Sequence, residues 1–149
     1  MTVDRSFVEQ NRAATNRMRA LAARLSDEQL QHRVGEHWTV AIVLAHLAFL
    51  DRRAHYVLDA TEREGQVVNP DFDIFVNDLV LPLFAAIPAR EAARIAIEEA
   101  DALDKRLEAY PHDLLELVNT ERRRYVFRAD HRNEHLDEAE AALKSNVTA

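Results

Sequence analysis

The sequence predicts an all-α fold, an antiparallel four-helix bundle with a short extra helix, and three observations lead there. Gly occurs only twice and Pro four times in 149 residues, while Ala, Leu, Glu and Arg are abundant, a balance that favours helix. Apolar residues recur at helical spacing in long stretches. Strand-like alternation is nowhere sustained. With no internal repeat, low-complexity tract or linker, residues 1–149 read as a single domain, long enough to bury a core without staples.

Each element has its own signal. From about Asp4 to Leu25, the spacing of Phe7, Ala14, Met18, Leu21 and Leu25 predicts an amphipathic first helix. Ser26-Asp27-Glu28-Gln29 can cap a brief turn, and Val34-Gly35-Glu36-His37 reads as a loop. Thr39 suits an N-cap, and Trp38 before it can pack on Val43 as a hydrophobic staple, so a second helix should run from there to about Glu62. Gly65 and Pro70 punctuate a connection. Phe72 to Ala86 is strongly apolar but broken by Pro82, which predicts a short, irregular helix that covers something. Pro88 opens a third long helix over Ala89 to Tyr110, carrying Ile95, Ile97, Leu103 and Leu107. After Pro111, a connection with Leu114, Leu115, Leu117 and Val118 leads to Thr120, expected to cap a fourth long helix reaching about Lys144. Helices one and two are expected to be near neighbours, with the other connections covering an end of the bundle.

Composition removes several function classes. Nineteen basic against 26 acidic residues give a net charge of −7, the wrong sign for a general phosphate-backbone binder, so nucleic acid is not an expected partner. The chain has no cysteine, so disulfides, thiolate ligands and a cysteine nucleophile are excluded. His and carboxylate remain as strong metal ligands. The opening Met1-Thr2-Val3-Asp4-Arg5-Ser6 does not read as a signal peptide, and no apolar run approaches the roughly 20 residues that span a bilayer. The expectation is a cytoplasmic protein with no membrane partner.

His131-Arg132-Asn133-Glu134-His135 places two imidazoles one turn apart on one helix face. Seven His scattered over 149 residues would produce roughly 0.3 such pairs by chance, so a solvated pair satisfies the spacing too. Phe127 and Ala142 lie near the same face and argue for an inward orientation. The third candidate, His46, has helical neighbours Ile42, Val43, Phe49 and Leu50, all apolar. A lone buried His is more often hydrogen-bonded to a carbonyl than bound to a metal. Three inward imidazoles change that balance, because one divalent ion satisfies them together and leaves coordination sites for water or substrate.

Trp38-Thr39 opening a helix, His46-Leu47 inside it and the late His131-x3-His135 resemble the DinB/YfiT-like superfamily of metalloenzymes. The resemblance covers most of the chain in length, helix order and the placing of all three His. It implies an antiparallel four-helix bundle in which His46, His131 and His135 bind a divalent ion, zinc or nickel, at a mouth open to water. It also implies a range of activities: relatives include thiol-dependent S-transferases and the metal-binding domain of a mycothiol-dependent maleylpyruvate isomerase, and many members have no assigned reaction. The metal would lower the pKa of a bound low-molecular-weight thiol or water. With no Cys in the chain, such a thiol comes from the cosubstrate.

Around this triad, Glu138 is placed to orient a ring or act as a base, and Arg53 to reach an anionic small-molecule substrate; both also read as solvated surface charges. Glu134 overlaps the His face less. Arg122, Arg123 and Arg124 could bind a carboxylate-rich cosubstrate, but on one helix they would fan in different directions, so they read mainly as solvated. His32, His37, His55 and His112 fall in loops or off the ligand face. The string His131-x-x-Glu134-His135 also matches inverted zinc metallopeptidases. Only 14 residues follow His135, which leaves no room for a downstream domain to complete such a cleft. Two function classes remain. One is a metal-dependent transferase using a low-molecular-weight thiol. The other is a non-catalytic, metal-stabilised interaction module in which the apolar Phe72 to Phe84 segment seals the site or forms a homodimer contact.

Overall fold

A computed structural model describes residues 3–68, 70 and 74–145. The elements are α1 (Ser6–Arg24), α2 (Asp27–Leu30), β1 (Arg33–Val34), β2 (Trp38–Thr39), α3 (Val40–Glu64), α4 (Phe75–Ala85), α5 (Ala89–Ala109), α6 (His112–Glu121), a 3-10 turn (Arg123–Tyr125) and α7 (Ala129–Ser145). The described residues are all-α apart from β1 and β2, a two-residue antiparallel pairing across the stretch read as a loop. None of the described helices is long and apolar enough to cross a membrane.

Most helix ends fall where local chemistry puts them. Ser26 and Gln29 form a reciprocal capping box at α2, which satisfies two amide donors at once. Thr39 accepts from the Ile42 amide at the start of α3, and Gly65, at φ 70°, ends that helix in the left-handed region open to glycine. The start of α7 departs from expectation. Thr120 lies inside α6, whose path breaks at Arg122 (φ −146°, ψ 68°), and α7 begins only at Ala129. Its first amides are capped from another helix: Asn11 Oδ1 accepts from the backbone N–H of Arg128 and Ala129 at 2.9 and 3.0 Å, and Asn11 Nδ2 donates to the Val126 carbonyl.

The four long helices pack as a ring in which α5 lies on α1 and α3, and α7 lies on α1 and α3. Their directions follow from which residues meet. Arg52 pairs with Glu99 and Asp59 with Arg106, so α3 and α5 run the same way. Asn11 meets Arg128 while Arg17 meets Asp137, so α1 and α7 also run parallel. Arg12 with Glu108 against Arg90 with the Ala22 carbonyl makes α1 and α5 antiparallel. The first neighbour of α1 is therefore not the second long helix but the third and fourth. A parallel α3/α5 pair obliges the chain to travel back along the 25-residue α3, about 37 Å at 1.5 Å per residue, and the connection containing α4 does so.

That connecting helix is regular despite Pro82, and it buries none of its residues. Phe84 packs against Phe49 and the core beneath, whereas Ile74, Phe75, Leu79 and Leu83 are exposed. The expected covering role is thus carried by one edge only, and Phe72 lies outside the described residues.

The core has two apolar parts. One gathers Met18, Leu21, Leu44, Leu47, Ala96 and Leu136; the other gathers Phe7, Leu58, Leu103, Leu107, Leu115 and Phe127. Along α1, α3 and α7, the residues between these parts are polar and buried: Asn11, Thr15, Asp51, Arg128 and Arg132, joined by Asp104 from α5. The candidate site lies at this seam.

Candidate metal centre

Packing of α3 against α7 brings the three predicted His together. His131 and His135, four residues apart, put their rings 4.8 Å apart between centroids, and His46 on α3 stands 4.8 Å from His135 and 5.9 Å from His131. One nitrogen from each ring lies within 4.8 Å of the others, close enough for modest side-chain rotation to bring all three onto one ion. Trp38, placed by β2, stacks nearly parallel to His135 and tilts against His46 at 4.8 Å. Its indole walls one side of the cluster.

The electrostatics favour neutral imidazole. Burial, with a smaller contribution from His135, pushes His46 down to about 4. Burial and then the Arg128 guanidinium push His131 down to about 3. A metal ligand must be deprotonated, and these rings are neutral at ordinary pH. His46 is 5 % exposed, and its Nδ1 meets no hydrogen-bond partner. A buried polar atom left unpaired is costly; an ion satisfies it, so the donor set fits a divalent metal of the imidazole-binding kind. Glu138 Oε2 lies 3.3 Å from His135 Nδ1, the position from which a carboxylate fixes a ring's tautomer and leaves the other nitrogen for a metal.

The remaining His are engaged elsewhere. His32 bonds the Ala142 carbonyl, His55 the Arg106 guanidinium, and His37 and His112 lie beside Glu36 and Glu116. Arg53 donates to the Pro70 carbonyl and lies over Tyr125, and it shares with His131 the wall of a cavity of about 600 Å³. Glu134 faces Arg124 at 3.6 Å.

Sequence reasoning missed the scaffold behind the triad. Arg132 is fully buried and bridges Asp51 at 3.1 Å and Asp104 at 2.8 Å, while Arg128 pairs with the other Asp51 oxygen at 3.0 Å. Thr15 donates to Asp104 and accepts from Arg132. Two cations and two anions cancel, and this set ties α7 to α1, α3 and α5 beside His131 and His135. The available signal was Arg128 and Arg132 at i, i+4 on a helix face flanked by Ala129 and Leu136, charges on what is otherwise a core-facing stripe. Trp38 was foreseen as a staple, but not as a wall of the His cluster.

The family model of the DinB superfamily matches residues 10–139, a span that contains α3, most of α7 and all three His. No curated protein and no solved structure matches the chain significantly. With most of its length matched, and with three imidazoles that could hold a metal meeting between α3 and α7, the chain belongs to the DinB superfamily.

Proposed function

We propose that His46, His131 and His135 bind one divalent ion, zinc or nickel, and that the protein is a metal-dependent transferase acting on a small molecule with a low-molecular-weight thiol cosubstrate. The carrying observation is the convergence of three imidazoles beside a cavity open to solvent, one of them with a buried, unpartnered Nδ1. Three neutral ligands leave the ion its positive charge and open positions, so a bound metal supplies Lewis acidity that lowers the pKa of a thiol or water. This chain's own residues do the rest: Glu138 orients His135, Trp38 shields one side of the triad, and Arg53 stands at the cavity wall toward an anionic substrate. In this reading the 149 residues form one cytoplasmic domain, a four-helix bundle in which the α1/α7 pair opposes α3/α5.

Elemental analysis of protein purified without a His-tag tests the metal, with one equivalent expected. A thiol and electrophile screen then tests the reaction, and His46→Ala should abolish turnover with the fold intact. Unchanged turnover in fully metal-free protein overturns it.

A second reading, a metal-stabilised interaction module, draws on α4. Phe75, Leu79 and Leu83 recur every four residues and are 52–68 % exposed, an apolar stripe suited to a homodimer contact. It predicts sedimentation as a dimer that Leu79→Glu and Leu83→Glu dissociate, a large fall in melting temperature on chelation, and no thiol ligation of substituted cobalt.

A further inference from the structure

The run Arg122-Arg123-Arg124 would scatter around an α-helix, but the chain is not α-helical there. Helix α6 ends at Glu121, Arg122 leaves helical geometry, and Arg123 and Arg124 ride a 3-10 turn before α7. All three arginines therefore line one cavity, the roughly 600 Å³ space that also borders His131, with Arg53 and Arg128 on its other walls and Leu50 and Tyr125 among them. In a chain of net charge −7, a wall with five guanidinium groups against the single carboxylate of Glu121 is a local reversal of sign.

Charges that belong to the scaffold can be set aside. Arg128 is buried on Asp51 and donates to the Arg124 carbonyl, so it contributes rigidity rather than a free fork. Arg123 lies over Phe127, 3.7 Å from the ring centroid, and approaches Asp130 only to 3.7 Å; Arg124 approaches Glu134 only to 3.6 Å. All four of these charged side chains are more than half exposed, and such loose surface pairs are weak. Arg122 forms no ion pair among the described residues. A ligand oxyanion can therefore compete for these forks, which match the planar oxygens of a carboxylate and the tetrahedral oxygens of a phosphate.

We propose that this cavity is an oxyanion subsite: Arg122, Arg123 and Arg124 hold the carboxylate or phosphate of a small anionic reactant whose other end lies toward His131. The reacting end rests on the metal-dependent reading above; the anion site does not. The apolar Leu50 and Tyr125 surfaces suit a short carbon chain between the two ends.

Calorimetric titration of succinate, its neutral diamide succinamide, and inorganic pyrophosphate into the full-length protein, as purified and after chelation, tests this. Succinate or pyrophosphate should bind with a salt-sensitive affinity, and succinamide should not. Preference for succinate assigns a carboxylate-bearing reactant, and preference for pyrophosphate a phosphate-bearing one. The double variant Arg122→Gln/Arg124→Gln should weaken that binding roughly tenfold or more at an unchanged melting temperature, whereas Arg94→Gln, far along α5, should not. Equal binding of succinamide, no binding of either anion, or an Arg94→Gln effect as large as the double variant's overturns the proposal. Since chelated protein retains the arginines, anion binding without bound metal in elemental analysis would sink the metal reading alone, and the converse would sink this one alone.

Discussion

Helix α7 and the residue before it carry two interleaved sets of inward polar groups, the arginines buried and His131 and His135 half-buried. Arg128 and Arg132 reach the interior with their counter-charges in place, Asp51 and Asp104, and with Thr15 completing the geometry. His131 and His135, which alternate with them, meet His46, whose Nδ1 meets no protein acceptor. The first set is closed in charge, neutral as a group and tied to three other helices, with Arg132 Nε left without a partner. The second is open on the side where a cavity reaches His131. A polar cluster whose charges cancel holds helices in register, whereas imidazoles whose nitrogens converge within 4.8 Å have room in their chemistry for an ion. The closed set also makes the open one possible, because it fixes α7 against α3 at the height where the imidazoles meet.

The contrast can be broken most forcefully at Asp51. Asp51→Ala removes the ion-pair partner of buried Arg128 and leaves Arg132 with Asp104 alone, and should cost about 3–5 kcal/mol in urea unfolding of the metal-free protein; a loss under about 1 kcal/mol would mean that the arginines reach water and that the two sets do not differ. Next, His46→Ala should weaken metal binding at least a hundredfold, about 2.8 kcal/mol, by competition with a chromophoric chelator. Its cost in metal-free stability should stay well below that of Asp51→Ala. If the ranking reverses, the imidazoles are structural.

A smaller effect belongs to Glu138→Gln, which should keep the triad and lower metal affinity about tenfold by loosening the His135 ring. The most gradual expectation concerns pH. His46 and His131 titrate at about 4 and about 3 in the folded protein against an ordinary 6.5, so between these values the unfolded chain binds protons that the folded chain refuses. Metal-free stability should therefore be unaffected by these rings above about pH 6.5 and decline as pH falls from there toward 3. Removing both rings should flatten that slope in a series of denaturation curves.

How much could be read in advance depended on the range of the interaction. The caps at Ser26 and Thr39 and the stop at Gly65 were legible because each involves residues within one turn. His46, His131 and His135 were legible as candidates through spacing and apolar neighbours on two separate helices. The start of α7 was not: its cap comes from Asn11, over a hundred residues away in the chain, and local pattern alone extended the helix back to Thr120. The same error hid the arginine wall, since three successive residues fan out on an α-helix but line one cavity on a break between helices.

The sequence by itself determined the helical class, most helix boundaries and which three His are candidates to meet, because periodicity, capping and donor chemistry are local properties. Tertiary structure decided that α3 and α5 run parallel, that Asp51 and Asp104 neutralise Arg128 and Arg132, and that a cavity joins His131 to a row of guanidinium groups. Those outcomes depend on which helices meet, and pairing across a core is set by the total fit of many side chains, which no single stretch of residues contains.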